Sequence, residues 1–162
     1  MAQVLVAYAT KNGSTEQVAR VVAGVMGEAG ARVDVRPAGA VKETLERYSL
    51  VVLGGALYRG RWHRDARRFL RRHRGDLVHR RVAVFGMGPR EDDGAAWQRS
   101  RTQLDNALAR YPTLTPTSVA VFGGVDPKGR KGARRDLRDW DAIRAWAYAL
   151  LATKPTDQGL LP

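Results

Sequence analysis

The stretch VLVAYATKNGST, residues 4–15, decides the fold. Val4, Leu5, Val6, Ala7 and Tyr8 form a short apolar run, the pattern of a strand buried on both faces. Thr10, Lys11, Asn12, Gly13, Ser14 and Thr15 follow, and at Thr15 a helix-like segment opens. A strand, a loop rich in hydroxyl and amide groups, and a helix N-terminus together make an anion cradle. Loop N–H groups and the positive end of the helix dipole converge on one spot, and small residues let the anion come close. No Gly-Lys-Ser/Thr closes the loop, so it is not a Walker A motif, and it lacks the G-x-G-x-x-G of dinucleotide sites. The expected ligand is a phosphate monoester held by hydroxyls and backbone rather than by a lysine or a metal.

Outward from this loop, strand and helix patterns alternate. The first helix is expected over 15–30, with Val18, Val21, Val22 and Val25 on one stripe and Gly30 as its stop. Residues 32–36 alternate as an outer strand, 41–48 read as a short helix, and 50–53 as a buried third strand punctuated by Gly54 and Gly55. A helix over 65–73, a strand over 82–85, a helix over 95–111 and a strand over 119–122 follow. The last helix spans 139–152, with Asp139 as its N-cap. Five short apolar strands alternating with five helices predict an α/β fold, a parallel sheet covered on both faces, read here in the doubly wound order 2-1-3-4-5. That order brings the loops after strands 1 and 3 to the point where ligands bind. One domain over 1–152 and a loose polar tail over 153–162 complete the expected organisation.

Composition narrows the function classes. A chain of 162 residues with 44% apolar residues supports one core of ordinary size. There is no cysteine, which excludes disulfides, thiolate catalysis and cysteine-ligated metals. No uncharged apolar window is long enough to span a bilayer and no leader pattern opens the chain, so a cytoplasmic location is expected. Net charge is +12, and only five of the 28 basic residues are lysine. Such a charge suits a solvated basic surface or an anionic partner: an acidic protein, an anionic membrane surface or a carboxylate-rich substrate. Nucleic acid is not expected, because the basic residues do not interleave with a row of aromatics.

Four segments carry a resemblance: TKNGST, GALYRGRWH with the arginine-rich helix after it, FGMGP, and RDWDAIRAWA near the C-terminus. Through them the chain resembles flavodoxin-like FMN-binding proteins. Within that class it is similar to the flavodoxin-domain family that includes menaquinone-dependent protoporphyrinogen IX dehydrogenase. The resemblance implies that Thr10, Lys11, Asn12, Gly13, Ser14 and Thr15 surround the FMN phosphate, with Lys11 pointing outward. Asn12 stands where electron-carrier flavodoxins usually have Thr, and favours the dehydrogenase group. Ala56, Leu57, Tyr58, Arg59, Gly60, Arg61 and Trp62 would form the loop at the flavin ring, with Tyr58 or Trp62 stacked on it; Trp62 reads equally as a core anchor under the next helix. Gly86, Met87, Gly88 and Pro89 would line its far edge, offering N–H groups to the pyrimidine carbonyls. Implied partners are a redox substrate or an acidic redox protein, with a quinone as a further acceptor.

Arg59 and Arg61 bear on potential. Reduced flavin carries negative charge, and one cation about 10 Å away at an effective dielectric of about 20 is worth about 1.7 kcal/mol, or about 70 mV. The potential should therefore sit above that of acidic carrier flavodoxins. His63, His73 and His79 have spacings that match no common zinc pattern, so no metal is expected. His63 reads as a surface residue before a helix or as a proton shuttle beside the ring. The helix over 64–74 presents Arg64, Arg67, Arg68, Arg71, Arg72 and Arg74, with Phe69 and Leu70 turned inward. Relatives of the dehydrogenase type commonly carry a longer insertion before the last helix. Here only residues 123–138 occupy that place, short and basic, which separates the FMN expectation from any particular substrate.

Overall fold

The computed structural model describes residues 2–127 and 132–152, so the expected tail over 153–162 lies outside the described residues. The elements run β1 (Gln3–Ala9), α1 (Ser14–Glu28), β2 (Arg32–Pro37), β3 (Leu50–Tyr58), β4 (Arg61–Trp62), α2 (Arg64–Leu77), β5 (Arg81–Met87), α3 (Gly94–Leu108), β6 (Ser118–Phe122) and α4 (Trp140–Ala152). Five strands pair in parallel in the order β2-β1-β3-β5-β6, which is the expected order, and the two-residue β4 adds antiparallel to β3. Successive side chains of a strand point to opposite faces. Val4, Val6 and Tyr8 therefore meet α1 and α4, while Leu5, Ala7 and Ala9 face the side packed by Phe69, Leu70 and Leu104.

Two differences from the sequence expectation have physical causes. Residues 41–48 are not helical; a 3-10 turn, Ala38–Ala40, precedes an irregular segment. Val41, Leu45 and Tyr48 are buried in the core. The backbone groups between them bond to distant side chains instead of to a helix ladder. His73 Nε2 meets the Val41 carbonyl at 2.9 Å, Leu45 N–H donates to Asp76 at 2.9 Å, and Arg80 Nε donates to the Leu45 carbonyl at 3.1 Å. Those partners are 31–35 residues away, beyond any local pattern.

The second difference is that Gly54 and Gly55 do not end β3 but lie inside it, paired with Tyr8 and Ala9 on one side and Phe85 and Gly86 on the other. Both are places of close approach. A Cβ at Gly54 would meet the Phe85 ring at 2.0 Å, and one at Gly55 would meet Trp62 Nε1 at 2.6 Å. Beyond them the strand runs on to Tyr58 and turns back through Arg59 and Gly60, both at positive φ (49° and 77°). Positive φ at both central residues makes a two-residue hairpin turn whose twist suits the flanking strands. In it Arg59 holds a left-handed conformation that costs a non-glycine residue about 1–2 kcal/mol.

His63 closes this hairpin onto α2. Its Nδ1 accepts the Asp65 N–H at 3.0 Å, so it is the N-cap of α2. Truncation, His63→Ala, should cost about 1 kcal/mol, and His63→Asn should recover most of it, read as urea midpoints.

Candidate functional site

β1 connects outward to β2 through α1, and β3 connects the other way to β5 through α2, so the chain diverges at the carboxyl ends of β1 and β3. A crevice opens at such a point. Here it is a shallow cleft, open to solvent.

The loop expected to bind an anion opens on this cleft through Lys11, Asn12 and Ser14. Thr10 Oγ1 accepts the Gly13 N–H at 2.8 Å, which curls the loop. Gly13, at φ 88°, is the N-cap of α1, and no side chain caps this helix. Ser14 is thus the first helical residue and not a cap, and α1 presents its first N–H groups without a side-chain acceptor. Thr15 is fully buried, and its hydroxyl has no hydrogen-bond partner among the described residues. A buried, unpaired hydroxyl costs about 1–3 kcal/mol, so the fold holds this one at a loss unless an acceptor comes to it. An orphaned donor beside an uncapped helix start fits a phosphate group. Lys11, Asn12 and Ser14 line the cleft around it.

The second wall is the β3 end of the hairpin: Ala56, Leu57 and Tyr58. Tyr58 is the exposed aromatic of the mouth. Lys11 does not point away from the site. Its Nζ lies 3.4 Å from the Tyr58 ring centroid, with the Arg59 guanidinium at 5.3 Å. An exposed cation–π contact is worth about 0.5–1 kcal/mol, less than the burial and stacking that a large flat ring offers, so such a ring can displace it. Hydrogen bonding by Lys11, followed by the charge of Arg59, holds the Tyr58 hydroxyl below the usual tyrosine range. Burial raises Tyr8 and Tyr48, each helped by a carboxylate acceptor, Glu16 and Asp34. In an ultraviolet titration Tyr58 should therefore ionise before Tyr8 and Tyr48, and Lys11→Gln should move its transition upward.

Trp62 corrects the expectation of a stacking residue. It is 1% exposed, and its Nε1 donates to the Gly55 carbonyl at 3.0 Å, so its ring belongs to the core beneath the hairpin and offers no face to the cleft. Arg59 and Gly60 form the turn, and Gly60 and Arg61 border a different groove.

The third wall carries Met87 and Gly88. Gly86 is buried within β5, between Gly55 and Val121. The Gly88 N–H already donates to the Phe122 carbonyl at 2.8 Å, and proline has no N–H, so neither Gly88 nor Pro89 can supply the expected donor. Asp92 and Asp93 serve α3: Asp93 caps it at Ala96 N–H, and Asp92 accepts from Trp97 Nε1.

Four lining residues had gone unrecognised: Arg90, Gly124, Val125 and Pro127. The last three come from the segment after β6. That segment doubles back, with Val125 bridged to Asp136 and Leu137 N–H bonded to the Gly124 carbonyl at 3.0 Å. Asp126, 1% exposed, holds it through the Arg135 N–H at 2.9 Å and Arg135 Nε at 3.0 Å. No local sequence signal marks this wall, because the Asp126–Arg135 contact that closes it runs across the loop.

The geometry defines a doubly wound α/β protein with a cleft at its switch point. The flavodoxin-domain family model matches residues 5–129, and the chain belongs to that family. Its fold is shared by oxidised flavodoxin 1 from Bacillus cereus (18% identity, TM-score 0.68, covering 95% of this chain and 100% of that one). It is shared too by flavodoxin 2 from Bacillus cereus (22%, 0.65, 93% and 99%) and by the flavodoxin of Streptococcus pneumonia TIGR4 (18%, 0.59, 93% and 99%). No curated protein matches the sequence. Among the described residues no helix is long and apolar enough to cross a membrane.

Proposed function

We propose that this chain is an FMN-binding electron-transfer flavoprotein whose phosphate cradle is the loop from Thr10 to Thr15. The observation that carries this reading is the buried, unpartnered Thr15 hydroxyl beside the uncapped start of α1. Thr10, Asn12, Gly13, Ser14 and Thr15 hold the phosphate, and Ala56, Leu57, Tyr58, Met87 and Gly88 face the ring. When bound, FMN supplies reversible electron transfer. The chain supplies position and electrostatics, so no side-chain catalyst is needed. Purified protein should carry, or take up, flavin and show its visible absorbance; protein that FMN cannot titrate refutes the assignment.

Lys11 and Arg59, gathered at Tyr58, favour added negative charge in the cleft. Lys11→Gln should lower the FMN midpoint by several tens of millivolts, on the scale of about 70 mV per charge at about 10 Å. An unchanged midpoint, or a wild-type value as low as that of acidic carrier flavodoxins, would count against this tuning.

Two partner classes follow. Oxidation of an organic substrate such as a porphyrinogen, with a quinone-like acceptor, is supported by the loop resemblance and by the cations at the mouth. Docking of an acidic redox protein is supported by α2, where Arg68, Arg71, Arg72 and Arg74 are exposed and in no ion pair among the described residues. Anaerobic mixing separates them: bleaching of the flavin by a porphyrinogen supports the first, and exchange only with an acidic redox protein supports the second.

A further inference from the structure

On its other side the β3–β4 hairpin bounds a second cleft, lined by Arg61, Arg67, Gln103, Asn106 and Arg110. Three guanidinium groups share it and no carboxylate lines it. The side chains of Arg61, Gln103, Asn106 and Arg110 make no hydrogen bond or ion pair among the described residues. The neighbouring carboxylate on α3, Asp105, is already paired with Arg101 at 3.0 Å. Gathering like charges around one cleft is unfavourable unless an anion or solvent offsets it. The frame is nevertheless fixed. Arg67 Nε donates to the Trp62 carbonyl at 3.0 Å, and the Arg67 carbonyl accepts the Tyr111 hydroxyl at 3.1 Å. Gln103 and Asn106, three residues apart, share one face of α3, and Arg110 follows in the turn just past its end. Buried Trp62 and Ala107 form an apolar base. Guanidinium forks match the paired oxygens of a carboxylate or a phosphate, and amide side chains add neutral donors around them.

We propose that this cleft binds a small organic anion through a carboxylate or phosphate group, at a site distinct from the Thr10–Thr15 cradle. The site needs no FMN. It shares the hairpin wall with the cofactor cleft, so its ligand would lie beside the redox centre.

The test is calorimetric titration of the FMN-loaded protein with inorganic phosphate and, separately, with succinate, at constant ionic strength. Loading fills the first cradle and is read independently from flavin absorbance. If loading fails, the same titration is run on Thr15→Val. Saturable binding of at least one probe is expected, weakened about tenfold or more by the Arg61→Gln/Arg110→Gln pair. Arg68→Gln/Arg72→Gln removes the same charge from the exposed face of α2 and should change affinity less than about twofold. Equal weakening by both pairs would show only a general field and overturn the proposal. So would the absence of saturable binding by either probe, or binding of poly-glutamate alone, which would make the surface a macromolecular one.

Discussion

Thr15→Val should weaken FMN binding by about tenfold to a hundredfold and, at the same time, stabilise the cofactor-free protein by about 1 kcal/mol. The two effects have one cause. The Thr15 hydroxyl is fully buried and bonds to nothing among the described residues. Replacing it by a methyl group of similar shape removes an unpaired polar atom from the interior, which favours folding. The same hydroxyl donating to a phosphate oxygen forms a charge-assisted hydrogen bond worth about 1.5–3 kcal/mol, and valine cannot make it. Thr15→Ser is the companion variant. It keeps the hydroxyl and loses a buried methyl, so it should hold FMN affinity and lose about 1 kcal/mol of stability. Denaturation of the cofactor-free proteins and FMN titration of each give both numbers. A valine variant that is less stable and binds FMN as well as the wild type would remove the hydroxyl from the site.

Gly54→Ala should destabilise the protein by about 3 kcal/mol or more, at the upper end of overpacking costs. The new Cβ would lie 2.0, 2.4 and 2.5 Å from three atoms of the Phe85 ring. That ring cannot swing aside cheaply: it is fully buried and packs on Phe122 and Trp146 at centroid distances of 5.6 and 5.8 Å. The melting temperature should fall by about 6–12 °C for a chain of this length. Phe85→Leu in the alanine background should cost much less than Phe85→Leu in the wild type, because the clash disappears with the ring. Additive losses in that cycle would show that the two residues do not collide.

The contrast between these two positions shows what a sequence can display. Residues 4–15 announced both a strand and an anion cradle, because the physics of each is local: an apolar run, a hydroxyl loop and a helix start. Alternation predicts a parallel sheet, and the flavodoxin-like order that the resemblance implies locates the cleft. Gly54 and Gly55 misled because glycine reads as punctuation, whereas here each makes room for a ring supplied by another element. Trp62 reads equally as a stacking residue or as a core anchor, and only its bond to the Gly55 carbonyl, on a strand earlier in the chain, decides for the core. Residues 41–48 have helical spacing, but His73, Asp76 and Arg80 take up their backbone groups, and no local window contains those partners. The wall built by Gly124, Val125 and Pro127 depends on a buried Asp126–Arg135 pair, again a contact across a loop.

The phosphate cradle is the central claim, and parallel titration of cofactor-free protein with FMN and with riboflavin tests it most directly. The two ligands share the ring and differ in the phosphate, so their difference isolates residues 10–15. FMN should bind saturably at one site per chain, and riboflavin about a hundredfold or more weaker, the loss expected when several charge-assisted hydrogen bonds go at once. Equal affinities, or no binding of FMN, would contradict the assignment of this loop.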